Sequence, residues 1–272
     1  MSSATLPLRE HKWPIFKVLS VLFLAFLFLS HGSWLEVIFD KRVILPFFLL
    51  LIPAALFAVV RRENPIWALI ACCVPAGVAV GAINLVAPLV YMNKAEEAVA
   101  SPVVYTSIAL GLVLAYALRV IAPPYESNAT PTRPLGFGLS LLLTTICAAA
   151  FITSSDGWEV FLNPKGLLFT IAVVLCCFAF NDKAQLTFCE VMARAGLFSC
   201  LLAAISGVTL YTASAAIEDI PGIGPALAES CNLLVYGALI AAAAGACGVR
   251  PPGDRELLTR DWHLTEAYVF VT

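Results

Sequence analysis

The polar side chains that fall deep inside the long apolar stretches of this sequence are mainly hydroxyls and amides. Asn84, Thr106, Ser107, Thr144, Ser206, Thr209 and Asn232 are among them. Such groups can line a polar path facing a partner helix, and Thr106, Ser107, Thr209 and Asn232 are the candidate lining residues on that reading. The alternative is that they hydrogen-bond between helices, at about 0.6 kcal/mol each. They cannot hold a proton. A relay built on carboxylates or imidazoles needs a titratable group at depth, and no apolar stretch has Asp, Glu or His at its centre.

Other chemistry finds no constellation. His11, His31 and His263 are scattered, and the G-x-G within "IEDIPGIGPA" lacks the preceding strand a nucleotide site requires. No catalytic, cofactor-binding or metal-binding set emerges, so an enzyme is not expected. The nine cysteines lie mostly in apolar stretches, and Cys72-Cys73 and Cys176-Cys177 are adjacent, not in C-x-x-C spacing. They read as small apolar residues in helix packing.

The elements that must position these residues are membrane helices. Hydrophobic residues are 61% of 272 and charged residues 12%, with a net charge of −2. A soluble domain carries about 25% charged residues, so this chain has too little polarity to coat a water-facing surface. The charge balance gives no sign of nucleic-acid binding. Eight spans are expected: Pro14–Ser30, Val43–Val60, Pro65–Tyr91, Ser101–Ala122, Leu135–Ile152, Gly166–Phe180, Ala195–Ile217 and Pro225–Gly248. Helices are expected because lipid offers the backbone no partners and the strand-like alternation of a barrel is missing. The first span follows basic residues as a signal peptide would, but no A-x-A site follows it, and it is retained as a span.

Lys and Arg set the orientation. Twelve, including Arg9, Arg61, Arg119, Lys183, Arg194 and Arg250, fall at the N-terminus, the even-numbered loops and the C-terminus. Four, Lys41, Arg42, Lys94 and Lys165, fall in the odd-numbered loops. The positive-inside rule then places both termini in the cytoplasm of a multi-pass protein of the cell's inner (plasma) membrane.

The chain also reads as if written twice. "SHGSWLEVIFDKR" is answered about 124 residues later by "SSDGWEVFLNPK". Gly81 pairs with Gly207 and Gly111 with Gly237, both 126 apart, and Pro123-Pro124 pairs with Pro251-Pro252 at 128. Four spans per copy is an even number, so the copies enter the membrane in the same sense, as parallel repeats. The expected fold is an all-α integral membrane protein of eight transmembrane helices in two parallel four-helix units. Residues 1–124 form the first unit, 125–134 a cytoplasmic linker, 135–252 the second unit and 253–272 a cytoplasmic tail. Gly81, Gly111, Gly207 and Gly237 are the candidate packing glycines, with Gly77 beside them.

The last two spans, "GVTLYTASAAIEDIPGIGPALAESCNLLVYGALIAAAAG", resemble the last two helices of the MotA/TolQ/ExbB family of ion-driven motor subunits. The resemblance rests on Gly207, Asp219, Pro221, Ile223, Gly224, Pro225, Ala226, Tyr236 and Gly237. In the first copy Pro75 lies in the third helix, and Thr106-Ser107 stand where the family keeps a Thr-Thr pair; the second copy has Asn232-Leu233 there. The cytoplasmic segments "RREN" and "NDKAQLTFCEVMARA" are far shorter than the family's torque-transmitting domain. The resemblance implies helices that surround or dock a single-span membrane partner, which would supply the acidic residue of a proton channel. It implies membrane lipid as surroundings and a homo-oligomeric assembly, and it implies no cofactor. Two other readings stand beside it: a small-molecule transporter with a site between the halves, and a non-conducting structural membrane subunit.

Overall fold

Asp40 starts the first described helix. Its carboxylate accepts the Arg42 N–H at 2.8 Å and its carbonyl accepts those of Val43 and Ile44 at 2.9 and 3.0 Å, so three N–H groups at this helix start are satisfied. The computed structural model describes residues 40–61, 64–90, 102–122, 134–152, 158–181, 187–216 and 220–247. The expected span Pro14–Ser30, the Trp34 hairpin, the linker up to residue 133 and the tail 253–272 lie outside them.

Among the described residues all regular structure is helical. Helix α1 runs Lys41–Arg61, α2 Pro65–Val90, α3 Pro102–Ile121 and α4 Pro134–Ile152. A 3-10 turn at Trp158–Phe161 precedes α5, Pro164–Ala179, and α6 and α7 run Phe188–Ala216 and Ile220–Ala246. Among the described residues five helices are long and apolar enough to cross a membrane, and two shorter apolar segments, Thr106–Ile121 and Pro164–Ala179, accompany them. The chain is therefore a helical, multi-pass membrane protein.

Sequence chemistry explains where the helices begin. α2, α3, α4 and α5 all open on proline, which has no N–H to leave unsatisfied at a first position. Asn64 caps α2 by accepting the Ile66 N–H at 3.0 Å, and Asn163 caps α5 through Lys165 and Gly166 at 3.0 and 3.2 Å. α6 starts seven residues before the expected Ala195. Thr187 and Glu190 form a capping box there: the Thr187 N–H donates to Glu190 Oε2 at 2.7 Å and the Glu190 N–H to Thr187 Oγ1 at 3.4 Å. α7 starts at Ile220, not at the expected Pro225, because Pro221 sits in a first turn where proline is tolerated.

Helix α7 occupies the centre. It lies along α6 on one side and α2 on another, and also touches α4, α1 and α5. α2 continues outward to α3 and α1, and α4 bridges α1 and α7. Helices α3 and α6 make no comparable contact with each other. The outer faces are as apolar as the inner ones: Leu135 is 86% exposed, and Leu45, Phe48 and Ile52 are exposed on α1 beside buried Phe47, Leu50 and Leu51. In water such a surface would be an aggregation liability; in a bilayer it is the lipid boundary. What distinguishes the inner faces is small size, with Ala76, Ala79, Ala243 and Ala244 all fully buried.

Candidate functional site

The expected lining residues do not share one surface. Thr106 and Ser107 on α3 are 0% exposed, and Asn232 on α7 is 4% exposed. Thr209 is on the outer face of α6, where its hydroxyl donates to its own helix at Ile205 O, 2.9 Å away. The structure thus places three of the four inside the helix packing and the fourth outside it.

Most hydroxyls at depth bond back to the preceding turn. Thr144 donates to Ser140 O at 2.8 Å, Thr145 to Leu141 O at 2.7 Å and Thr170 to Gly166 O at 2.9 Å. Asn84 does the same to Val80 O at 2.9 Å and reaches Arg42 O at 3.2 Å. This local satisfaction is what a low-dielectric setting favours when no water is available.

Cross-helix polar contacts converge instead on α7. Cys72 of α2 donates to Ala242 O at 3.1 Å, Ser140 of α4 to Ala243 O at 3.0 Å, and Cys200 of α6 to Leu234 O at 3.6 Å. Ser206 of α6 meets Ser230 at 3.3 Å, and the Arg61 guanidinium at the end of α1 donates to Cys247 O. Tyr236 reaches the other way: its hydroxyl donates to Phe161 O and accepts the Asn163 N–H at 3.0 Å. Five neighbouring segments are therefore tied to one helix.

Tyr236 carries a specific cost. Replacing it with Phe strands the Asn163 N–H and the Phe161 carbonyl, and an unsatisfied buried group costs about 1–3 kcal/mol. Tyr236→Phe is expected to lower thermal stability in detergent by that amount while leaving helix content unchanged. Circular dichroism melts read it, and an unchanged melting curve would mean the hydroxyl is solvated.

The packing glycines are sharper. A Cβ on Gly111 would lie 2.5 Å from Cys73 O, and one on Gly77 2.5 Å from Ser107 O, so α2 and α3 touch backbone to backbone. Gly237 and Gly196 face each other in the same way, 2.6 and 2.5 Å from each other's carbonyl oxygens. A Cβ on Gly207 would make only ordinary contact, 3.4 Å from Ser230 Cβ, and Gly81 is buried. Gly196 and Gly245, where a Cβ would lie 3.0 Å from Ala71 O of α2, were not expected as packing residues. The signal was there in Gly237, Ala241 and Gly245, four apart on one face of α7.

Among the described residues no group of three His, Cys, Asp or Glu is placed to hold a metal ion. The arrangement offers close packing and a hub helix. No family model matches the chain, and neither a curated protein nor a solved structure is significantly similar to it.

Proposed function

We propose that the chain is a non-conducting membrane scaffold made of two parallel four-helix units, a relative of the MotA/TolQ/ExbB type that kept the bundle and lost the pathway. It sits in the inner membrane with both termini in the cytoplasm and docks a single-span partner. The observation that carries this reading is the burial of Thr106, Ser107 and Asn232 inside the chain's own helix packing, with the small residues used up in contacts between its own backbones. The matching glycine crossings, Gly111 on Cys73 and Gly237 on Gly196, support the duplication, because each joins the third helix of a unit to its fourth. The units then meet one-sidedly, the third helix of the first (α2) against the fourth of the second (α7), without the reciprocal pair. That is a head-to-tail join rather than a closed two-fold one. Thr209 and Thr212, exposed on α6, favour a partner-facing conduit as the second reading.

Reconstitution into liposomes with an internal pH dye tests it. Under an imposed potassium diffusion potential, proton entry is expected to match protein-free vesicles. Flux above that level, lowered by Thr106→Ala or Asn232→Ala, would restore the conducting reading. Mass spectrometry after purification in mild detergent would report the partner and copy number.

A further inference from the structure

Arg194 stands where an arginine is unfavourable. In the five described helices able to cross a membrane, Lys41, Arg42 and Arg61 sit at the ends of their span. Arg194 does not. It lies within the span Phe188–Thr209, about 9 Å along α6 from its start. A charge inside a span is unfavourable unless something answers it. Arg61 and Arg119 are answered by position, since each lies in the last turn of its helix, where the carbonyl end of the dipole favours a cation. Arg194 lies toward the N-terminal end of α6, where the dipole offers a cation nothing. Its natural partner is engaged elsewhere. Glu190, four residues earlier, is spaced to pair with it along the helix. Instead Glu190 Oε2 accepts the Thr187 N–H at 2.7 Å and the Thr187 hydroxyl at 2.8 Å. Among the described residues no carboxylate pairs with the Arg194 guanidinium, and the side chain is exposed.

The surface that Arg194 joins is continuous and apolar. Phe198, Leu201, Ile205 and Val208 are each more than half exposed. At about 100° per residue, these four and Arg194 fall within about 80° of one another. They lie on the side of α6 turned away from Gly196 and its crossing with α7. From Arg194 to Val208 the stripe covers about 21 Å of helix, the depth of one leaflet in a bilayer about 40–45 Å thick with its headgroups. Cα–Cβ bonds in a helix tilt toward its N-terminus. The guanidinium therefore reaches back toward the nearer membrane surface while its stem stays on apolar ground.

We propose that Arg194 and this stripe form a binding site for one anionic phospholipid, its phosphate on the guanidinium and an acyl chain along Phe198, Leu201, Ile205 and Val208. Arginine suits the task because its planar fork can donate two parallel N–H bonds to a phosphate. The headgroup supplies the negative charge that Glu190 withholds, and the chain lies on a face that no described helix covers. On the orientation proposed above the lipid belongs to the cytoplasmic leaflet, whereas the binding itself does not depend on that orientation.

Native mass spectrometry of the full-length protein in detergent, titrated with phosphatidylglycerol, counts bound lipids directly. The first lipid is expected to bind wild type about fivefold more tightly than Arg194→Gln, the worth of one arginine at an anionic membrane surface. Arg119→Gln is the control and is expected to change that affinity less than about twofold, since Arg119 already has its helix end. Phosphatidylcholine, whose own ammonium neutralises its phosphate, is expected to bind wild type as weakly as phosphatidylglycerol binds Arg194→Gln. Glycerol 3-phosphate, a headgroup without chains, is expected not to displace the bound lipid. Equal affinity of wild type and Arg194→Gln overturns the proposal, and so does displacement by glycerol 3-phosphate, which would mark a plain anion site. A copurifying single-span protein released by Arg194→Gln would give this face to a protein and overturn it as well. Equal binding of the two lipids by wild type overturns it with no variant needed.

Discussion

Gly237→Ala is expected to lower the stability of the bundle by up to about 2 kcal/mol, although alanine is the better helix former. Removing a helical glycine gains about 1 kcal/mol. Against that, the new Cβ would lie 2.6 Å from Gly196 O, 2.9 Å from Cys200 Sγ and 3.0 Å from Cys200 N. Two of these obstacles are backbone, which cannot rotate away, so α6 and α7 must separate along their crossing. Overpacking costs typically 1–3 kcal/mol and more where no side chain can yield, so the clash wins. Gly196→Ala is expected to behave alike, since its Cβ would meet Gly237 O at 2.5 Å and Ala241 N at 2.7 Å. Gly138 is the control. It has nothing within 4 Å, and Gly138→Ala is expected to be neutral or stabilising by up to about 1 kcal/mol. Thermal unfolding of the three variants in one detergent orders them; a Gly237→Ala melt equal to wild type would show that α6 and α7 do not cross at this point.

The second large effect lies at the α2–α3 crossing. Gly77→Ala and Gly111→Ala each push a methyl onto a carbonyl at 2.5 Å, of Ser107 and Cys73 respectively. Each is expected to lose up to about 2 kcal/mol by the same balance of terms. The double variant should lose much less than the sum. Once the first methyl has moved the helices apart, the second finds room, and neighbouring sites sharing one displacement are not additive. A double-mutant cycle measured by the same melts checks it, and full additivity would mean the two glycines sit in independent contacts.

Helix existence was largely legible, and helix surroundings were not. The span expected at Pro65–Tyr91 is the helix Pro65–Val90, because a long apolar run between Asn64-Pro65 and polar residues leaves little choice. The start of α6 was misplaced because hydropathy ignores an amphipathic first turn, while the capping pair Thr187 and Glu190 reads as an ordinary polar loop. Hydropathy also reports the solvent a helix prefers, not which face meets protein. Leu50 is buried and Ile52 is exposed on the same helix, with nothing in their chemistry to separate them. Thr106 and Thr209 were grouped by type and depth, yet one is enclosed and the other faces outward. Residue size would have served better: where glycine and alanine recur every four residues, as on α7, a neighbouring backbone lies close.

The join between α2 and α7 has a consequence for how the protein is made. Cys72 and the Ala242 carbonyl it bonds are 170 residues apart. At about 5–20 residues per second of synthesis, roughly 10–30 s pass between the birth of one partner and the other. Throughout that interval α2 waits in the bilayer with a face shaped for a helix that the ribosome has yet to deliver. The first half must therefore tolerate lipid along a surface it will later hide, and a stop in translation before α7 is made leaves that surface uncovered.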